Sequence, residues 1–415
     1  MNITLHHPMH HGTISAPPSK SHAHRLLICA ALSDKPCRIR CDRTNDDIDA
    51  TVRCLTALGA DITWKNGIFT VQPIRDVPSY AILDCGESGS TFRFMLPVTA
   101  ALGVEAEFVL HGRLPERPLS PLYEMMEEHG EKLSPQGANP FRISGKLTGG
   151  DFAFDGGVSS QFTTGLLLAL PLTGEKSSIR LTGKIESRPY IDLTLATIRQ
   201  FGVSAEYMGS EFIIPQSKFI APAGDVSVEG DWSSAAFLLC LGALSEEGIT
   251  VTDLNPHTAQ GDAAIVRILE DFGADCMRNN TSVTVRKNTL HAIHLDAAEI
   301  PDLIPVVSVI AAAAEGTTVI DNCGRLRLKE SDRMETIRAI LESLGGDCTL
   351  DGDSIIIKGR KSLIGGTVSS FGDHRIAMSA AVASVVCENP VTIEGAECSA
   401  KSYPAFFDEL EKLCK

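Results

Sequence analysis

A single pattern recurs six times along the chain: a polar cluster, a run of small apolar residues, a short strand, a second helix and a hairpin. The apolar segments begin at Ser21, Ser90, Ser160, Ser233, Asp302 and Asp373, spaced 69 to 73 residues apart. The first five second helices end at Gly59, Gly130, Gly202, Gly273 and Gly345, at intervals of 71 or 72 residues. Two markers of different chemistry that keep one period identify a repeat architecture. Function is then expected at equivalent loops of successive repeats.

The first helix of each repeat is almost wholly apolar: HRLLICAAL, TFRFMLPVTAAL, FTTGLLLALPL, SSAAFLLCLGAL, LIPVVSVIAAAA and HRIAMSAAVASVV. A helix apolar on every side belongs inside a core. Short β-branched segments follow, among them CRIRC, EFVLHG, SIRLTG, ITVTDL, TTVIDN and PVTIEG. Amphipathic helices such as IVRILEDFG and IRAILESLG come next, each closed by a glycine suited to a left-handed cap. ITWKNGIFTV carries the Asn-Gly signal of a tight hairpin, and EYMGSEFII, CMRNNTSVTV and CTLDGDSIII are similar. The sixth repeat stops after FFDELEKL, so the N-terminal NITL and GTISA are expected to supply its missing pair.

Six repeats of this size exceed one ordinary core, which predicts two lobes of three. The expected fold class is α/β: two barrel-like lobes of βαβαββ repeats, with buried helices inside and sheets outside. One lobe is expected to combine residues 1–18 with 229–415, and the other to span 19–228, the chain crossing at Pro17-Pro18 and near Glu229-Gly230.

A net charge of −15 disfavours nucleic acid, whose phosphates need a basic face. No apolar run reaches the length of a membrane span. The start, MNITLHHPMHH, lacks the layout of a secretory signal, so a cytoplasmic protein with reduced thiols is expected from its twelve cysteines. No CxxC occurs and Cys37 and Cys41 are the closest pair, a poor zinc signature. His6, His7, His10 and His11 are expected to form a solvated terminal cluster. Neither a metal nor an organic cofactor is called for, and a monomer is expected.

The N-terminal end of each apolar helix is polar, and such an end offers free backbone N–H groups and partial positive charge. Lys20, Ser21, Arg25, Gly89, Arg93, Ser159, Ser160, Gln161, His374 and Arg375 stand at these starts. Arg117, Ser187, Arg188, Tyr190, Arg327, Lys329, Arg333 and Lys401 stand at strand-to-second-helix loops. Singly, each has a plain structural reading: Ser159-Ser160 and Ser233-Ser234 suit helix caps, and Arg117 suits a surface ion pair. Their recurrence at two positions of the repeat points instead to a multiply anionic ligand.

The segments PPSKSHAHR, ESGSTFR, LPERPL, SSQF, ESRPY, IPD, LRLKESDR, GDHRIAM and KSYPAFF, in that order, resemble the 5-enolpyruvylshikimate-3-phosphate synthase family. The likeness runs from Lys20 to Lys401. It implies two inverse α/β lobes of three repeats, with helix N-termini directed at a cleft between them. It also implies a reaction: phosphoenolpyruvate and shikimate 3-phosphate give 5-enolpyruvylshikimate 3-phosphate and phosphate by addition and elimination.

Carried over motif by motif, the resemblance assigns Lys20, Ser21 and Arg25 to the shikimate substrate. Ser159, Ser160, Ser187 and Lys329 are assigned to its phosphate or ring hydroxyls, and Gln161 to both substrates. Lys20, Gly89, Arg117, Arg333, Arg375 and Lys401 are assigned to phosphoenolpyruvate. Asp302 is the implied base for the 5-hydroxyl and Glu330 the implied acid for the methylene, its pKa raised by burial. His374 is implied to stabilise phosphate or to help move protons.

Two departures stand out. Arg325 occupies a position where relatives can have asparagine, and Glu87 one where a neutral amide can occur. Gly89 is retained, which leaves room for phosphoenolpyruvate and predicts sensitivity to glyphosate. The related transferase acting on UDP-N-acetylglucosamine starts instead with an Ala-Lys-Asn motif and carries a reactive loop cysteine. No cysteine lies between Cys85 and Cys240 here. A non-catalytic sugar-phosphate binder on the same scaffold would not need Asp302 and Glu330, yet both are present.

Overall fold

The computed structural model describes residues 1–6 and 10–413. Its helices alternate in character along the chain. The first of each pair are α1 (Lys20–Ala31), α3 (Gly89–Leu102), α5 (Ser160–Ala169), α7 (Trp232–Ala243), α9 (Ile304–Ala313) and α11 (His374–Ala383). These are buried almost along their whole length, as their all-round apolarity requires. The second of each pair are α2 (Asp46–Ala57), α4 (Leu122–Glu128), α6 (Arg188–Gln200), α8 (Ile265–Phe272), α10 (Arg333–Ser343) and α12 (Phe406–Leu413), which bury one face. The five marker glycines all adopt positive φ, between 79° and 103°, which a Cβ would oppose.

The chain divides into two compact units, Met1–Pro17 with Glu229–Lys415, and Pro18–Val228. Each carries three separate sheets. A typical one joins Tyr80–Gly86 and Glu105–Leu110 in parallel across α3, then adds the antiparallel hairpin Glu131–Leu133 and Phe141–Gly145. Strands alternate buried and exposed residues, so one face of each sheet meets the helices. Asn66 and Gly67 both have positive φ, the turn that Asn-Gly predicts.

The N-terminal strands part company. Asn2–Leu5 pairs antiparallel with Val391–Glu394 and completes the sixth sheet. Gly12–Ser15 does not join it there; it pairs in parallel with Ile249–Thr252 of the fourth repeat. Val226–Ser227, just before α7, pairs in parallel with Cys37–Arg40 of the first repeat. At each crossing, therefore, the strand that precedes a helix stays with the unit the chain is leaving.

His10 is buried, so the terminal histidines are not uniformly solvated; His7 lies outside the described residues. The described cysteines are free thiols, mostly buried, and burial pushes Cys41, Cys348 and Cys387 up to about 12. Among the described residues no helix is long and apolar enough to cross a membrane.

Candidate active site

In the first unit, six of the candidate residues converge on one buried guanidinium. Arg333, 1% exposed, opens α10 and donates to Asp302 Oδ1, Glu330 Oε2 and Asp373 Oδ2, each at 2.8 Å. Arg375 lies 3.2 Å from Asp302 Oδ2, Lys329 3.6 Å from Asp302 Oδ1, and Lys401 3.8 Å from Glu330 Oε1. Asp373 caps α11 by accepting from the Arg375 N–H at 3.0 Å, and it also accepts from Ser331 Oγ at 3.0 Å. His374 is buried beside it, 3.8 Å from Asp373 Oδ1.

These charges set one another's protonation. Burial alone would push the Asp302 carboxyl up, but Arg375, Lys329 and Arg333 outweigh it and hold the group well below the usual carboxylate range. Burial lowers Lys329 to about 8; Asp302 opposes this, while Arg325 and Arg333 add to it. Arg325 thus acts on the cluster through Lys329. The sequence argument relied on burial to keep Glu330 protonated. The structure also places two cations against it, and these favour the carboxylate.

In the second unit the candidates gather at the N-terminal turns of α1, α3 and α5 and at the start of α6. Lys20 donates to Asp47 Oδ2 of α2 at 2.9 Å. Arg25, 2% exposed, donates to Thr194 Oγ1 at 2.8 Å, to the Tyr190 carbonyl at 3.0 Å, to Thr164 Oγ1 at 3.3 Å and to the Ser21 carbonyl at 2.5 Å. It also lies over the Phe94 ring. Its partners are neutral oxygens and a ring. Burial lowers it only to about 10, so it stays charged at neutral pH.

Gln161 ties α5 to α3, donating to Ser90 Oγ at 3.0 Å and accepting from Arg93 at 2.9 Å. Ser159 caps α5, and its neighbour Ser160 begins the helix. A Cβ on Gly89 would lie 2.7 Å from Arg117 Nη1, so the absence of a side chain there is what admits the guanidinium. The Glu87 side chain turns onto Gly112. Ser187, just before α6, is buried with φ of 53°.

Other sequence candidates are engaged elsewhere. Arg188 pairs with Asp192 at 2.8 Å and lies over the Tyr207 ring at 4.2 Å. Arg327 pairs with Asp332 at 3.3 Å and donates to the Gly352 carbonyl. Ser233 and Ser234 do not cap α7; Asp231 does, accepting from the Ser234 N–H at 2.7 Å. A carboxylate accepts more strongly than a hydroxyl at a positive helix end.

Sequence reasoning did not single out Asp47, Asp373, Thr164 or Thr194. Asp373 lay in view within GDHR, and Asp47 within an acidic run at a second-helix start. Only the pairing across repeats marks them.

Both clusters offer cations to an anion, and the first adds three carboxylates that share a guanidinium. Comparison with known proteins supplies the chemistry of relatives. The sequence matches the EPSP synthase family, described as 3-phosphoshikimate 1-carboxyvinyltransferase, over residues 8–410. A relative of that name from Clostridium kluyveri is 40% identical over 97% of this chain and 95% of its own. One from Methanocorpusculum labreanum is 37% identical over 97% of this chain and 96% of its own. Among solved structures, EPSP synthase from Acinetobacter baumannii superposes with a TM-score of 0.82 at 26% identity, covering 100% of this chain and 98% of that one. The enolpyruvyl transferase NikO from Streptomyces tendae shares the fold, with a TM-score of 0.77 at 17% identity, over 99% of this chain and 96% of that one.

Proposed function

The chain belongs to the EPSP synthase family, and from that premise we propose how its two clusters divide one reaction. It is a 3-phosphoshikimate 1-carboxyvinyltransferase: it moves the enolpyruvyl group of phosphoenolpyruvate to the 5-hydroxyl of shikimate 3-phosphate and releases phosphate. The curated relatives favour this over transfer to UDP-N-acetylglucosamine. The observation that carries the residue assignment is the shared guanidinium of Arg333, 2.8 Å from both Asp302 and Glu330. It fixes two carboxylates side by side for opposite proton transfers.

Arg25, with Lys20 and Ser21, holds the shikimate moiety. A desolvated guanidinium whose partners are neutral oxygens keeps charge available for a carboxylate. Ser159, Ser160, Gln161, Ser187 and Lys329 take the substrate's phosphate and hydroxyls. Lys20, Gly89, Arg117, Gln161, Arg333, Arg375 and Lys401 take phosphoenolpyruvate. When Arg375 and Lys329 turn to these anions, their hold on Asp302 weakens and it becomes the stronger base that the 5-hydroxyl needs.

As Arg333 and Lys401 turn to phosphoenolpyruvate, their hold on Glu330 weakens. The protonated group delivers its proton to the methylene as the C–O bond forms, then recovers one as phosphate departs and the double bond returns. The cations and His374 stabilise the leaving phosphate, each donor worth on the order of 3 kcal/mol in a dry site. The room expected over Gly89 is taken by the Arg117 guanidinium, one of the cations assigned to phosphoenolpyruvate; glyphosate, meeting the same cations, is still expected to compete with it. A monomer and a cytoplasmic location are part of the same proposal.

Glu330→Gln tests the assignment. Turnover should vanish while calorimetric binding of shikimate 3-phosphate persists, since the amide keeps the shape and loses the proton. Undiminished turnover would remove Glu330 from the mechanism.

A further inference from the structure

Three helices of the second unit are joined by a line of buried polar groups that the reaction's assigned residues do not use. His24 Nδ1 on α1 lies 2.7 Å from Thr51 Oγ1 on α2, which lies 2.7 Å from Thr91 Oγ1 on α3. Thr91 Oγ1 reaches Ser88 Oγ at 2.8 Å and the Asp47 carbonyl at 3.3 Å. Ser88 caps α3 by accepting from the Thr91 N–H at 3.3 Å, and the next residue is Gly89. Asp47, whose carbonyl faces Thr91, holds Lys20 with its side chain.

His24, Thr51 and Thr91 are fully buried, and Ser88 is 1% exposed. Threonines inside helices commonly satisfy themselves on the preceding turn, as Thr194 and Thr197 do here with the Tyr190 and Leu193 carbonyls. Thr51 and Thr91 reach across helices instead.

The line has a direction. Burial lowers His24 to about 3, so its ring is neutral and one nitrogen donates while the other accepts. Nε2 has no hydrogen-bond partner among the described residues. A lone buried acceptor is tolerated better than a lone buried N–H, which puts the proton on Nδ1. Nδ1–H then donates to Thr51, Thr51 to Thr91, and Thr91 its single hydroxyl hydrogen to Ser88, with the Asp47 carbonyl as the longer, secondary partner.

We infer that His24, Thr51 and Thr91 are positioning residues for the phosphoenolpyruvate half of the reaction. Through Ser88, and by the longer contact to the Asp47 carbonyl of α2, they lock the first turn of α3 with Gly89. The inference rests on the assignment of Gly89 and Arg117 to phosphoenolpyruvate. Thr91→Val keeps the volume and removes the link: Ser88 keeps only the Thr91 backbone N–H as a donor and the Thr51 hydroxyl loses its acceptor, while Thr51→Val cuts His24 off from Thr91.

The test is steady-state kinetics of Thr91→Val, Thr51→Val and Thr91→Ser beside the wild type, varying each substrate in turn. Both valine variants should raise KM for phosphoenolpyruvate about five- to twenty-fold, with kcat and KM for shikimate 3-phosphate held within about two-fold. Thr91→Ser should restore the wild-type value. Equal rises in both KM values, an unmoved phosphoenolpyruvate KM, or failure of Thr91→Ser to rescue would overturn the inference. If Thr91→Val does not fold, Thr51→Val breaks the same line at its next link and decides the question. Absence of wild-type turnover would instead refute the reaction assignment, and the inference with it.

Discussion

Within the candidate site, Lys329 carries a charge that changes near neutral pH, because burial brings it down to about 8. Below that pH the free protein offers a cation to the substrate phosphate; above it the cation is lost. kcat/KM for shikimate 3-phosphate should therefore fall as pH rises through about 8. Lys329→Arg keeps its charge and should flatten that limb, and an unchanged limb would show that another group titrates. The motif LRLKESDR made Lys329 and Arg333 visible in the sequence. It did not show that Arg333 would sit on three carboxylates, because Asp373 is 40 residues away along the chain and Asp302 is 31. The repeat identified the loops; which ions meet across them depends on packing.

Single elements explain other features. Pro97 inside α3 has no N–H for the Arg93 carbonyl one turn back. That carbonyl faces Gly165 of α5, where a Cβ would lie 2.3 Å from the oxygen. Gly165→Ala must push α3 and α5 apart, at a cost of about 1–3 kcal/mol by urea denaturation; unchanged stability would show that the helices yield freely. At the strand Glu131–Leu133, Glu131 is 4% exposed with neither carboxylate oxygen hydrogen-bonded, and burial raises it to about 7. The folded chain holds a proton there that the unfolded chain releases near its ordinary 4.5. This group's effect is least harmful below about 4.5, worsens as pH rises to about 7, and costs on the order of 3 kcal/mol above that. Glu131→Gln should raise the melting temperature at pH 8 and converge with wild type towards pH 4; parallel curves would contradict this. Helices and hairpins were legible from composition and turn residues. The α7 cap was not, because Asp231 competes with two serines for the same N–H groups. Nor was the partner of Gly12–Ser15, since strand pairing across the chain leaves no local signal.

Across the whole molecule, the period of the repeat and the placement of its bases belong together. Six buried helices with polar starts give six equivalent positions, and the residues proposed to bind the anionic substrates occupy a chosen few of them. The carboxylates proposed for proton transfer occur in the first unit, while Arg25, Gly89 and Arg117 occur in the second. The period of the repeat was visible in the spacing of glycines. The exchange of strands at the crossings was not, because it concerns which unit keeps a strand. The most direct measurement is phosphate release by purified protein given phosphoenolpyruvate and shikimate 3-phosphate together and each alone. Release only with both present, with the enolpyruvyl ether found in the product by mass spectrometry, is the predicted result. Release from phosphoenolpyruvate alone at the same rate, or none with both, would contradict the account.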